Sequence, residues 1–152
     1  MKKILAALVL VSFAGVTLAQ QALKPEEMIK IRKSGYRFMA WNMGKIKANL
    51  DGTFNKDQVI AAANLVAATA NSGMGALFGP GTDKDVAGEI THVKPEFFQQ
   101  QDKVKEVALN YIKETNELAK VAATGDVAAI KEQFGKTGRA CKACHDDFRK
   151  EL

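Results

Sequence analysis

Apolar residues along most of this chain recur every three or four positions, the period of a helix that buries one face, and strand-like alternation is nearly absent. The pattern is clearest near the C-terminus. There Val127, Ile130, Phe134, Thr137, Cys141, Cys144 and Phe148 follow alternating steps of three and four and form one continuous stripe. Asp126 precedes the stripe as an N-cap, and Gly125 supplies a left-handed stop to the helix before it. That third helix opens at Pro95 and runs to about Thr124, with a seam of Phe97, Val104, Val107, Ala108, Tyr111, Leu118 and Val121. A first helix, from about Pro25 to Ala48, has Pro in its first turn and Glu26 and Glu27 at the positive end of its dipole. Its apolar row is Met28, Ile31, Gly35, Phe38, Met39, Met43 and Ile46. Asp51-Gly52 ends it, and Asn55 caps a second helix from Lys56 to about Met74.

Between the second and third helices lies a Gly-rich irregular stretch, 79–94, long enough to cross from one helical hairpin to the next. Four helices with short first and last loops and a longer middle one predict an all-α antiparallel four-helix bundle. No internal repeat or low-complexity tract interrupts it.

The N-terminus changes the charge and the address. Lys2 and Lys3 precede an uncharged stretch from Ile4 to Ala19 that ends Val16-Thr17-Leu18-Ala19, with small residues one and three places before the expected cut. This is the pattern of a secretory signal peptide over 1–19, leaving 20–152 as one domain. The stretch falls short of the roughly 20 residues that span a bilayer, and no later segment is long and apolar enough to do so. Loss of Lys2 and Lys3 leaves 20 basic residues of the original 22 against 17 acidic ones, taking the formal charge from +5 to +3. The remaining charges are scattered, which excludes a nucleic-acid grip. The expected location is a bacterial periplasm.

Both cysteines fall in Cys141-Lys142-Ala143-Cys144-His145, the spacing of covalent c-type haem attachment. Two thiols three residues apart share a helical face and can add across the two vinyl groups on one porphyrin edge. The next residue, turned about 100° further, brings an imidazole to the iron. Other readings fit less well. A redox Cys pair wants a βαβ context, and a zinc site built from Cys141, Cys144, His145 and His92 needs two adjacent ligands that diverge on a helix. A thiol pair packed as small hydrophobes is the third. No methionine follows His145, and Met28, Met39, Met43 and Met74, at helical spacing, read first as flexible core filler. Beyond the haem motif no paired acid and base or activated nucleophile suggests an enzyme, and His92 reads as a solvent-exposed loop residue.

The mature chain resembles the cytochrome c′ family along essentially its whole length. The resemblance rests on Lys24-Pro25-Glu26, Arg32 one turn before Tyr36, Phe78-Gly79-Pro80-Gly81-Thr82, and Cys141 to His145 followed by Asp146, Phe148, Arg149 and Lys150. It implies one haem c per chain, held by Cys141 and Cys144, with His145 the only protein ligand of a high-spin, five-coordinate iron. It also implies a buried distal side that admits nitric oxide and carbon monoxide, a part in electron transfer, and a homodimer. By the same resemblance Arg149 is the basic residue near the proximal histidine, Arg32 stands near a haem propionate, and Tyr36 covers the distal face, where aliphatic residues are common in the family. The rival within the same architecture is a low-spin electron carrier with Met28 or Met39 as the sixth ligand.

Overall fold

The computed structural model describes residues 23–151; the expected signal peptide lies outside them. Helices α1 (Pro25–Asp51), α2 (Lys56–Ala70), α3 (Glu96–Gln99), α4 (Gln101–Thr124) and α5 (Val127–Phe148) follow in chain order, and a 3-10 turn covers Met74–Leu77. The four long helices form the expected bundle, with α1 packed on α2, α2 on α4, and α4 on α5; α1 and α5 meet at few points. None of the described helices is long and apolar enough to cross a membrane.

The caps act as their side chains predict. Asn55 Oδ1 accepts from the Gln58 amide at 3.0 Å, and Asp126 Oδ1 accepts from the Ala128 and Ala129 amides at 3.0 and 3.1 Å. Gly125 adopts φ 78° and closes α4.

Three boundaries differ from the periodicity. The first helix continues through Asp51, where an ion pair with Lys47 bridges successive turns. The second stops at Ala70, because the Asn71 side chain donates back to Ala67 O at 2.7 Å and across to Asn116 Oδ1 at 2.8 Å, and Gly73 then turns left-handed. The third breaks at Gln100. Phe97 stacks on Phe78 with centroids 4.3 Å apart and meets Phe148 edge-on, so long-range aromatic packing draws α3 out of line with α4.

The inward face of α1 is also rotated from the expected row. Ile29, Arg32, Met39, Asn42, Ile46 and Asn49 are buried, whereas Ile31, Phe38 and Trp41 are exposed, with Phe38 stacked on Trp41. This helix carries two apolar faces, and only one of them meets the bundle. Val127, first in the α5 stripe, is likewise exposed at the start of its helix.

Where α1 ends, α2 begins, α4 ends and α5 begins, Ile46, Val59, Ala62, Ala63, Leu118, Ala122 and Ile130 form a core without solvent access. A smaller cluster of Met39, Val66 and Ala70 continues it, packed by Tyr111 and Ile112. Toward the opposite end the α4 seam loosens: Val104, Val107, Ala108 and Tyr111 are only half-buried.

Candidate functional site

Helix α5 is fixed to α4 just before it reaches the cysteines. Gln133 Nε2 donates to Glu114 O and Oε2 at 3.1 and 2.7 Å, and Thr137 Oγ1 donates to the same carbonyl at 3.1 Å. One turn later the stripe leaves the closed core, and Cys141 and Cys144 stand half-buried and unpaired. Burial pushes both thiols up, Cys144 further through Cys141 and Asp147. A redox-active pair needs the opposite shift, toward thiolate. Thiols kept neutral on one helix face instead suit addition to a hydrophobic partner.

Tyr36 and Tyr111 face the same region from α1 and α4. Burial, reinforced by the nearby thiols, pushes the Tyr36 phenol up to about 12, although 37% of the residue's surface is accessible. The combination describes a side chain walling a crevice. Tyr111 is pushed higher still, by burial first and then by Tyr36 and both cysteines, and its hydroxyl donates to Met39 Sδ at 2.8 Å.

His145 lies on the other side of the thiols, in an open cleft of about 530 Å³ lined with Lys94, Asp146, Arg149, Lys150 and Glu151. Desolvation lowers its pKa and the Arg149 charge lowers it further, against a smaller opposite effect of Asp146. The neutral imidazole, the form that ligates metals, is thereby favoured. Arg149 is the C-cap of α5, with its amide donating to His145 O at 3.0 Å.

Arg32 is 4% exposed. Its guanidinium donates to Leu77 O at 3.1 Å, to Thr82 Oγ1 and O at 3.2 Å each, and to Thr91 Oγ1 at 2.8 Å, and it lies 4.4 Å from the Phe78 ring centroid. Every one of these partners is neutral, so among the described residues this buried cation has no carboxylate beside it. Burial lowers its pKa. The Gly79-Pro80-Gly81-Thr82 segment that receives it is a tight turn, with Thr82 N donating to Gly79 O at 3.2 Å and Gly81 at φ 81°.

The methionines are engaged elsewhere. Met39 accepts from Tyr111, and Met28 and Met74 lie so close over Gly79 and Gly35 that an added Cβ would come within 2.8 Å of each. Met43 packs between the two core clusters. His92 is half-buried in the crossover, and among the described residues no three His, Cys, Asp or Glu gather closely enough to hold a metal ion.

Two thiols held neutral on one face, an imidazole one residue on, a sparsely packed α1/α5 seam and a buried cation without a counter-ion together fit a haem. Thr82, Thr91, Lys94 and Tyr111 complete the surroundings. The sequence marked Thr82 and Tyr111 only as part of a turn motif and a seam, and gave no signal for Thr91 or Lys94.

Comparison with known proteins agrees. The chain is 58% identical to the cytochrome c′ of Allochromatium vinosum over 127 residues, 84% of this chain and 82% of that protein. The crystal structure of cytochrome c′ from Thermochromatium tepidum matches with a TM-score of 0.83 at 57% identity, covering 86% of this chain and 99% of that one. A cytochrome c′ described as having an unusual ligand-controlled dimer dissociation matches with a TM-score of 0.84 at 57% identity, covering 85% and 98%. More distant structures of the cytochrome c′ from Alcaligenes xylosoxidans include a ferrous substituted variant with bound nitric oxide, 27% identical with a TM-score of 0.75 over 85% and 98%, and another substituted variant with bound carbon monoxide, 28% identical with a TM-score of 0.74 over 84% and 98%. The cytochrome c′ family model matches residues 27–149, and the chain belongs to that family, which implies a c-type haem.

Proposed function

We propose that this chain is an exported haem protein, not an enzyme, that binds nitric oxide and carbon monoxide at a five-coordinate iron and takes part in electron transfer. Its haem would supply an open coordination position and a one-electron couple. Cys141 and Cys144 would hold one group per chain through thioether bonds, and His145 would ligate the iron. The observation that carries this reading is the pair of half-buried thiols on one face of α5, with Tyr36 beside them on α1 and the Met39 sulfur already accepting from Tyr111; Tyr36 would then cover the far side.

Arg32, buried among neutral acceptors, suits a propionate carboxylate. Desolvation first, and the Arg149 charge after it, lower the His145 pKa and favour the neutral imidazole. The outward stripe of Ile31, Phe38 and Trp41 suits a second copy of the chain, and exposed apolar area of this kind marks association surfaces. Tyr36 shares that helix. Moving it aside for a gas would disturb the stripe, in keeping with the ligand-controlled dissociation described for the similar structure. The leader over 1–19 supports a periplasmic location, with 20–152 as the mature domain.

Adding carbon monoxide or nitric oxide to the reduced holoprotein should give a saturable change in the visible spectrum and raise the dimer dissociation constant seen by sedimentation. A spectrum indifferent to both gases would overturn the gas-binding reading; an unchanged dissociation constant would remove the coupling.

A further inference from the structure

The crossover does more than join two hairpins. A helix ending at Phe148 leaves its last carbonyls without intrahelical partners. Here the crossover supplies two, and accepts one bond in return. Lys94 N donates to Phe148 O at 2.9 Å, Lys94 Nζ donates to Asp146 O at 2.9 Å, and Lys150 N donates back to His92 O at 2.7 Å. Val93 and Arg149 form an isolated antiparallel bridge. The turn that carries His145 is therefore capped by residues 92–94, and the Lys94 ammonium also sits favourably at the negative helix end.

The other end of this segment is tied to α1. Thr91, 3% exposed, accepts from Arg32 Nη2 at 2.8 Å and from Val93 N at 3.4 Å through the same hydroxyl oxygen, while its own amide donates to Asp85 Oδ1 at 2.9 Å. Lys33 and Glu89 add an ion pair at 3.0 Å between α1 and the crossover. One hydroxyl thus joins the guanidinium on α1 to the strand-like piece that caps α5.

We propose that residues 91–94 act as a strap that fixes the last turn of α5, and with it the orientation of the His145 imidazole, relative to Arg32. Thr91 is its positioning residue. This deepens the proposed function and rests on His145 being the iron ligand. Orienting groups behind a metal ligand tune the site because they restrict the ring's rotation and tilt. In most such sites the partner bonds the imidazole itself; here the restraint acts through the backbone of the helix turn.

The test uses the reduced, gas-free holoprotein and three variants. Thr91→Val keeps the shape and removes the acceptor, Thr91→Ser restores it, and Asp126→Ala removes the N-cap at the far end of α5 as a control for general destabilisation. In Thr91→Val the iron–imidazole stretching band should shift or broaden, and exchange of the Arg149 and Lys150 amides should speed up roughly fivefold, the equivalent of about one hydrogen bond. Thr91→Ser should return both to the parent values. Asp126→Ala should lower the melting temperature and move neither. An unchanged band and unchanged exchange in Thr91→Val would overturn the strap, as would the same changes in Asp126→Ala. Failure of the underlying reading shows separately, as a parent protein without an iron–imidazole band.

Discussion

The two ends of this bundle are made from the same four helices and differ in what their seams enclose. At one end Ile46, Val59, Leu118 and Ile130 interlock with alanines and exclude solvent completely. At the other the same seams arrive at Val104, Ala108, Tyr111, Cys141 and Cys144, and none of these is fully buried. Polar groups lie buried beside them: Arg32, Thr82 and Thr91. One end holds the fold together by packing, and the other is shaped around a guest that completes its core. A protein divided in this way should lose stability and function through different residues.

Truncation at the closed end should have the largest effect on stability. Leu118→Ala empties a site with no solvent access, and a cavity of that kind costs about 2–5 kcal/mol. Chemical denaturation of the holoprotein should show this loss while the gas-saturated spectrum stays the same. A changed spectrum would mean that the two ends are not separable.

At the open end the balance should reverse. Tyr36→Ala removes a side chain that is already partly accessible, so stability should fall by only about 1 kcal/mol. Carbon monoxide affinity should rise about tenfold, because the gas no longer displaces a ring; that factor corresponds to about 1.4 kcal/mol. Equal affinities in the two proteins would show that Tyr36 does not cover the binding position.

A smaller effect should appear in alkali. Tyr36 ionises at about 12 in the folded chain against 10.0 for the free phenol, chiefly through burial. Between those values the unfolded chain has released a proton that the folded one keeps. Stability should therefore be intact below about pH 10 and fall as pH rises toward 12. Denaturation midpoints across this range test the sign, and Tyr36→Phe should lessen the slope, Tyr111, also shifted upward, supplying the remainder.

Local chemistry made much of this legible in the sequence. Asn55, Asp126 and Gly125 act within a few residues of themselves, so the helix ends they set could be read directly. The spacing of Cys141, Cys144 and His145 is equally local. Long-range partners were not legible. The α1 row was misplaced because Ile31 and Phe38 supply a second apolar face, while Arg32 and Asn42 occupy positions that periodicity assigns to hydrocarbon. The break before α4 depends on Phe97 meeting Phe78 and Phe148, both distant in sequence. Arg32 and Thr91 are separated by 59 residues, and nothing in either neighbourhood announces the other.

The visible spectrum of the reduced holoprotein, recorded before any gas is added, tests the central claim most directly. Iron bound by His145 alone predicts broad, unsplit bands. Sharp, split bands would place a sixth protein ligand opposite the imidazole and contradict an open end kept free for small molecules.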